Sequence, residues 1–423
     1  MLSKLQFWMV AAIVVLVGYA VVATGREEAA PPRAAPYDLS TLRRVSYMNG
    51  LQFVRGPVYV DDPSEPRILV GDDESRDVRA ILRSEAVDAT SCMDYATTPP
   101  TATQPPYSNA SPFNAVTSRT IHPQSATIVS NALASGIGNL VTEQEPAKEY
   151  NHPIYYASVT DPVVELDIPG YSLDGARIPV PAAARAAGGS DGHMAIVTPD
   201  CWSYDLWRAR RSSGIVRAEI GYRQRYDGLG IVTPAMTRSD PTIGGTTAPY
   251  FGAHAGLIRG PELLAGRIDH ALFLVIETGT ADTTFGLGTV APDANRRGGN
   301  GSSIYPAFKG DAVSAGVRAP MGARFFLDMT ETEIDATGAP AWERAIAKAM
   351  SRYGGYFGDT GGPGFAFSFE AGFQYTAMGQ TNPFETLARS MGLRKDPVWG
   401  YTWVFSGRIP WRTKLYVTDP PAP

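Results

Sequence analysis

The stretch Gly188 to Arg225, GGSDGHMAIVTPDCWSYDLWRARRSSGIVRAEIGYRQR, constrains the fold more than any other. In His193 to Val197, Trp202 to Arg208 and Ile215 to Tyr222, β-branched and aromatic residues gather in runs of strand length, closed by Gly, Pro, Asp and Ser, and none is long enough for a helix. Period two puts Trp202, Tyr204, Leu206 and Arg208 on one side of their strand and Ser203, Asp205 and Trp207 on the other. In the third run Arg217 and Glu219 face one way, and Val216, Ala218, Ile220 and Tyr222 the other. The stretch reads as antiparallel sheet with one apolar and one mixed face. A mixed face is either a solvated outer surface or the floor of a cleft.

Composition extends this reading to the whole chain. With 43 Gly and 34 Pro in 423 residues, the composition argues for many turns and against helix-rich architectures. The expected fold is mainly β, an antiparallel β-sandwich or jelly roll with a few short helices after an N-terminal membrane or signal helix. The helices are expected over Pro123 to Ser135, within Gly252 to Ala265, over Ala341 to Met350 and over Pro383 to Met391. Further strands are expected at Val163 to Ile168, Arg177 to Val180, Arg324 to Leu327, Phe365 to Phe369 and Tyr401 to Phe405. Ala271 to Glu277, ALFLVIE, is apolar on both faces and reads as a buried central strand. A formal charge of -5 gives no electrostatic basis for a nucleic-acid partner.

The N-terminus carries Lys4 and then an uncharged apolar run from Phe7 to Thr24. That run is at the lower edge of what spans a bilayer, and Ala23-Thr24-Gly25 also fits a signal-peptide cleavage site. Anchor and signal peptide stay open, and both export the body. The domain scheme is an anchor or signal at 1–25, a Pro/Ala-rich linker at 26–37, a small add-on module at 38–96, a Pro/Thr-rich linker at 97–112 and a main β domain at 113–423. The two cysteines, Cys92 and Cys201, either bridge the add-on module to the main domain or stay as thiols, and they are too few for a cysteine-based zinc site.

Asp191-Gly192-His193, Arg267-Ile268-Asp269-His270-Ala271 and the pair Arg352-Tyr353-Gly354 and Asp359-Thr360-Gly361-Gly362 occur in that order. In this the chain resembles a family of exported bacterial proteins. The resemblance covers the main domain, implies that it is one contiguous unit, and carries no catalytic residue across. Glu333-Ile334-Asp335 resembles the signature of laminarinase-like jelly-roll glycosidases, but Gly338 stands where the third carboxylate belongs, so that resemblance is rejected.

The carboxylate and imidazole pairs are Asp191 with His193 and Asp269 with His270. At spacing i, i+2 on extended chain the first two share a face, whereas the adjacent Asp269 and His270 point oppositely. His122, His152 and His254 lie in loops with no obvious partners. Glycoside hydrolysis needs two carboxyl groups flanking the scissile bond, and Asp191, Glu219, Glu277, Asp328, Asp359 and Glu370 are candidates on or near strands. A lyase would use His193 or a tyrosine as base and an arginine such as Arg217 to neutralise a uronate. No G-x-S-x-G elbow, P-loop or dinucleotide fingerprint is present. The expected catalytic residues are His193, Asp191 and Glu219, with Trp202, Trp207, Arg208 and Arg217 contacting sugar, and no metal or cofactor is implied. The expected function is an exported or membrane-tethered protein, held at the membrane by its N-terminal helix, that cleaves a cell-wall or extracellular polysaccharide. The alternative is a non-catalytic surface protein, glycan-binding or structural.

Overall fold

The computed structural model describes residues 105–277, 303–311, 316–362 and 364–418, with the backbone of 289–290. The apolar Phe7 to Thr24 run, the 26–37 spacer, the 38–96 module, the first half of the 97–112 linker and nearly all of the Gly/Asn-rich loop at 293–303 lie outside the described residues. All described residues belong to one unit, Ala86–Pro423. Among them no helix is long and apolar enough to cross a membrane.

Three short runs of the Gly188 to Arg225 stretch build the centre of a four-stranded sheet. Its members are β1 (Ile154–Tyr156), β2 (Met194–Val197), β3 (Trp202–Trp207) and β4 (Ile220–Arg225), side by side in that order. β2, β3 and β4 form an antiparallel meander, and β1 lies parallel to β2 with Ile154 opposite Ala195. The run Ile215 to Tyr222 is not one strand. Ile215–Arg217 pairs in a second four-stranded sheet with Val163–Asp167 and Arg210–Ser212, while Ile220 onward enters the meander, so Arg217 and Glu219 do not share a strand face. The chain crosses between the sheets at Ala218 and Glu219 because Asp167 and Trp207 each claim a backbone bond there. The two four-stranded sheets share one apolar core, to which Val164, Leu166, Ile178 and Val216 contribute from one and Tyr155, Ile196, Tyr204 and Leu206 from the other.

The third large sheet has five strands, β5 (Leu272–Ile276), β6 (Arg324–Leu327), β7 (Gly355–Thr360), β8 (Phe365–Phe367) and β9 (Leu415–Val417), in the order β8, β5, β7, β6, β9. β5 is the apolar run read as a central strand, and it is paired on both sides, parallel to β7 and antiparallel to β8. β7 was not legible, because Gly355, Gly358 and the glycines after Thr360 resemble a loop. Helix Ala341–Arg352 packs against β6 with Trp342, Ala345, Ile346 and Met350 buried, the face expected from its periodicity. Helices also form at Ser125–Ala132, Gly260–Ala265 and Pro383–Ser390, whereas Gly252 to Ile258 is not helical. Glu333, the first residue of the rejected signature, forms a capping box with Thr330 that starts the helix Glu331–Ala336.

The described fold is thus rich in β-sheet, with several sheets and short helices. The pairing is mixed, since each of the three larger sheets contains one parallel pair. Cys201 is disulfide-bonded, and the only other cysteine in the chain, Cys92, lies outside the described residues.

Candidate functional site

A register shift in the five-stranded sheet decides where one carboxyl group points. Leu272, Phe273 and Leu274 of β5 stand opposite Gly355, Tyr356 and Phe357 of β7, but Val275 stands opposite Asp359, so Gly358 is an extra residue. A bulge of this kind reverses the alternation of side chains beyond it. Asp359 is thereby moved off the side of Phe357, which is fully buried, and onto the side of Val275. A Cβ at position 358 would sit 2.4 Å from the ring of the buried Phe273, so any residue but glycine there forces that ring to shift.

Asp359 and Val275 line a cavity of about 380 Å³ whose other wall comes from the edge of the meander. Asp191 and His193 enter it from the turn that leads into β2. That turn is clamped to the end of β3 by two backbone bonds, from the amides of Arg208 and Ala209 to the carbonyls of Asp191 and Gly192, both 2.8 Å. Gly192 takes a φ of +49°, and a Cβ there would approach the Arg208 backbone.

His152 is the second imidazole. Its backbone is bonded to Phe369 and Ala371, beyond β8, so it stands at the joint between the five-stranded sheet and β1. Continuing the parallel register of β1 and β2 two residues back from Ile154 and Ala195 sets His152 opposite His193. The rings stack with centroids 4.2 Å apart and planes at 17°. His152 is therefore not the partnerless loop residue expected. The signal that could have found it is the shared offset from two short strands, which has meaning only once those strands are known to pair.

The electrostatics follow from burial. His193 is 9% exposed, and burial lowers its pKa to about 4. Burial lowers His152 further below the ordinary range, with repulsion from His193 added and Asp191 opposing. Both rings are neutral at neutral pH, and neither makes a side-chain hydrogen bond within the described residues. Asp359 moves the other way. Burial raises it to about 7, the carboxylate of Asp311 adds to this, the Thr360 amide at 2.8 Å opposes, and Asp191 contributes a further upward push. At neutral pH the cavity thus holds a carboxylic acid that is substantially protonated, a second carboxyl group and two neutral imidazoles. Asn139, Gln144, Asn151, Tyr150 and Ser368 supply amide and hydroxyl groups around them, and Phe367 and Phe369 supply apolar surface.

The other residues singled out from the sequence lie elsewhere. Glu219 pairs with Arg208 at 3.0 Å, and both are largely exposed. Arg208 also lies 4.2 Å over the ring of Trp207, so these three residues form a surface cluster of their own. Arg217 pairs with Asp167 at 2.5 Å, with 74% of its side chain exposed. Trp202 is buried in the shared core and covered by Arg223 at 4.2 Å and Arg225 at 5.4 Å. None of the five lines the cavity.

The second Asp/His pair is divided as its spacing requires. Asp269 binds Arg267 at 2.6 Å, and His270 is fully buried against Glu262 at 3.0 Å. Burial alone would raise Glu262, but Arg259 and His270 outweigh it and hold the carboxyl at about 2. Glu370 is buried beneath Tyr375, and Glu277 and Asp328 make surface bonds to Ser135 and Arg119. Among the described residues no group of three or more His, Cys, Asp or Glu side chains is arranged to hold a metal ion. No family profile, curated protein or solved structure matches this chain.

Proposed function

We propose that the protein is a glycan hydrolase acting in this cavity, with Asp359 as general acid. The observation that carries the reading is Asp359 itself, turned into the cavity by the bulge and held substantially protonated at neutral pH. Hydrolysis of a glycosidic bond needs one carboxyl group that keeps its proton to donate to the departing oxygen, and a second that activates water or attacks the anomeric carbon. Asp191, lining the same cavity, supplies the second. His193, neutral and without a side-chain bond of its own, orients a substrate hydroxyl.

The amides, hydroxyls and two phenylalanines around these groups are the donors, acceptors and apolar patches that sugars use. Between the two cleavage chemistries, hydrolysis fits better than elimination. A uronate would meet two carboxyl groups here, and the arginine expected to neutralise it, Arg217, is committed to Asp167 at the surface. Export of the body to meet an extracellular or cell-wall glycan belongs to the same reading and is supported by the Phe7 to Thr24 run. A β-sandwich arrangement of the two four-stranded sheets is the architecture we associate with it, supported by the core they share.

The test is incubation of the purified chain with a panel of polysaccharides, scoring new reducing ends, unsaturated products and retention on the polymer. Reducing ends without unsaturated products are expected. Retention with no product of either kind would replace the enzyme with a glycan-binding protein, and unsaturated products would replace hydrolysis with elimination.

A further inference from the structure

At the opposite end of β7 the same face of the five-stranded sheet opens into a second cavity, of about 340 Å³. Tyr356 lies on the side of Phe273, as Asp359 does beyond the bulge, so one strand presents a residue to each cavity. The chemistry here is inverted. Arg324, the cross-strand partner of Tyr356, lines this cavity with its guanidinium 5.0 Å from the Tyr356 ring centroid. Its Nε donates to the Tyr353 carbonyl at 2.8 Å, and its Nη2 donates to the carbonyls of Tyr353 and Ala115. The Nη1 group has no bond, and no carboxylate pairs with Arg324 among the described residues. Burial depresses its pKa, which marks a cation short of compensation.

Arg223, Arg225 and Arg259 each reach a carboxylate within 3.3 Å, whereas Arg185 and Arg211, half-buried like Arg324, are held by backbone carbonyls. Of these arginines only Arg324 lines either cavity. A half-buried guanidinium fixed by two carbonyls and an aromatic ring, with no carboxylate on it among the described residues, is a preformed half of an oxyanion site, because a partly desolvated, unpaired cation gains from an anion. The remaining wall is mostly apolar. Pro112, Val116 and Ile304 line it, with Tyr305 and Val116 exposed at the rim and Ser118 as a hydroxyl donor. We propose that this cavity binds a small organic carboxylate with a compact apolar or aromatic body, its carboxylate on Arg324 Nη1 and its body against Tyr356, Val116 and Ile304. The site is separate from the acid and imidazole cavity and does not depend on what that cavity does.

The experiment is titration of the full chain with benzoate, benzyl alcohol and inorganic phosphate by calorimetry, in parallel on Arg324→Met and Val116→Trp. Val116 is 61% exposed, so a tryptophan there obstructs the mouth without entering the core, which guards against misfolding of the arginine variant. Saturable benzoate binding is expected, with affinity about tenfold or more lower for benzyl alcohol and in both variants. Equal binding of benzoate and benzyl alcohol would overturn the proposal, as would undiminished benzoate binding in Val116→Trp or phosphate binding without benzoate binding. Benzoate affinity should be unchanged in Asp359→Asn, and a loss there would place the ligand in the other cavity.

Discussion

The meander and the five-stranded sheet make opposite use of their polar residues. The meander and its connections carry the tryptophans, arginines and Glu219 that look most reactive, and these residues satisfy one another. Glu219 holds Arg208, Arg208 covers Trp207, and Trp202 lies under Arg223 and Arg225. β5 and β7 are nearly apolar, yet the bulge between them turns a single acid into a cavity. Richness in reactive residue types is therefore a poor guide to a site. What marks the site is imidazoles without side-chain hydrogen bonds, His152 and His193, beside the Asp359 carboxyl, which among the described residues has only the Thr360 amide and no cation to offset its burial, because such groups cost stability unless something else employs them.

The largest effect is expected at the five-stranded sheet. Asp359→Asn should lower turnover by about a hundredfold to ten-thousandfold, as loss of a general acid does. Wild-type activity should fall as pH rises through about 7, where Asp359 gives up its proton. Stability should fall over the same rise in pH. The folded pKa lies above the unfolded one, so the folded state binds the extra proton between about pH 4 and 7, and Asp359 costs stability above that window. Asp359→Asn removes this cost, and at pH 8 it should be more stable than wild type by roughly 1–3 kcal/mol. A variant that is inactive and also destabilised at pH 8 would make Asp359 a structural residue and erase the contrast between the sheets.

His193→Ala comes next, with a loss of about a hundredfold in rate and a melting temperature within a few degrees of wild type at pH 7. His193 also has a signature in acid. Its folded pKa of about 4 lies below the ordinary 6.5, so its contribution is present above pH 6.5 and is lost as pH falls to 4. The slope from this group amounts to roughly 3 kcal/mol across that window. Denaturant unfolding at several pH values should show a shallower acid slope in His193→Ala. Full turnover with an unchanged slope would remove His193 from the site.

The smallest effects belong to the meander's surface. Glu219→Gln and Arg217→Ala break exposed ion pairs and should change stability by less than about 1 kcal/mol and turnover by less than about twofold. A large loss of rate in either would show that the surface cluster reaches the substrate, and would narrow the difference between the two sheets.

The elements that depend on local pattern were legible. The apolar run over β5, the helical face of Trp342, Ala345, Ile346 and Met350, and the short strands with Gly and Pro turns could all be read from period and propensity. Asp191 and His193 were expected on one face from i, i+2 spacing on extended chain, but Gly192 at φ +49° makes the segment a turn, and both line the cavity from that turn. β7 was hidden because glycine lowers strand propensity, although here Gly358 makes the bulge and Gly355 lies close against Leu274. The break after Arg217 was hidden because Ile215 to Tyr222 alternates well enough to pass for one strand.

What remained was decided by long-range pairing. Which sheet receives Arg217, that His152 meets His193, that Arg324 meets no carboxylate among the described residues and that Asp359 faces a cavity all depend on contacts between segments far apart in the chain. The amino-acid sequence by itself determined the β-rich character and the turns, because these follow from interactions within a few residues. Only the tertiary structure decided which polar groups were left unpartnered, because burial and partnership are properties of the assembled sheets, and a one-residue bulge is enough to move a carboxyl group from one face to the other.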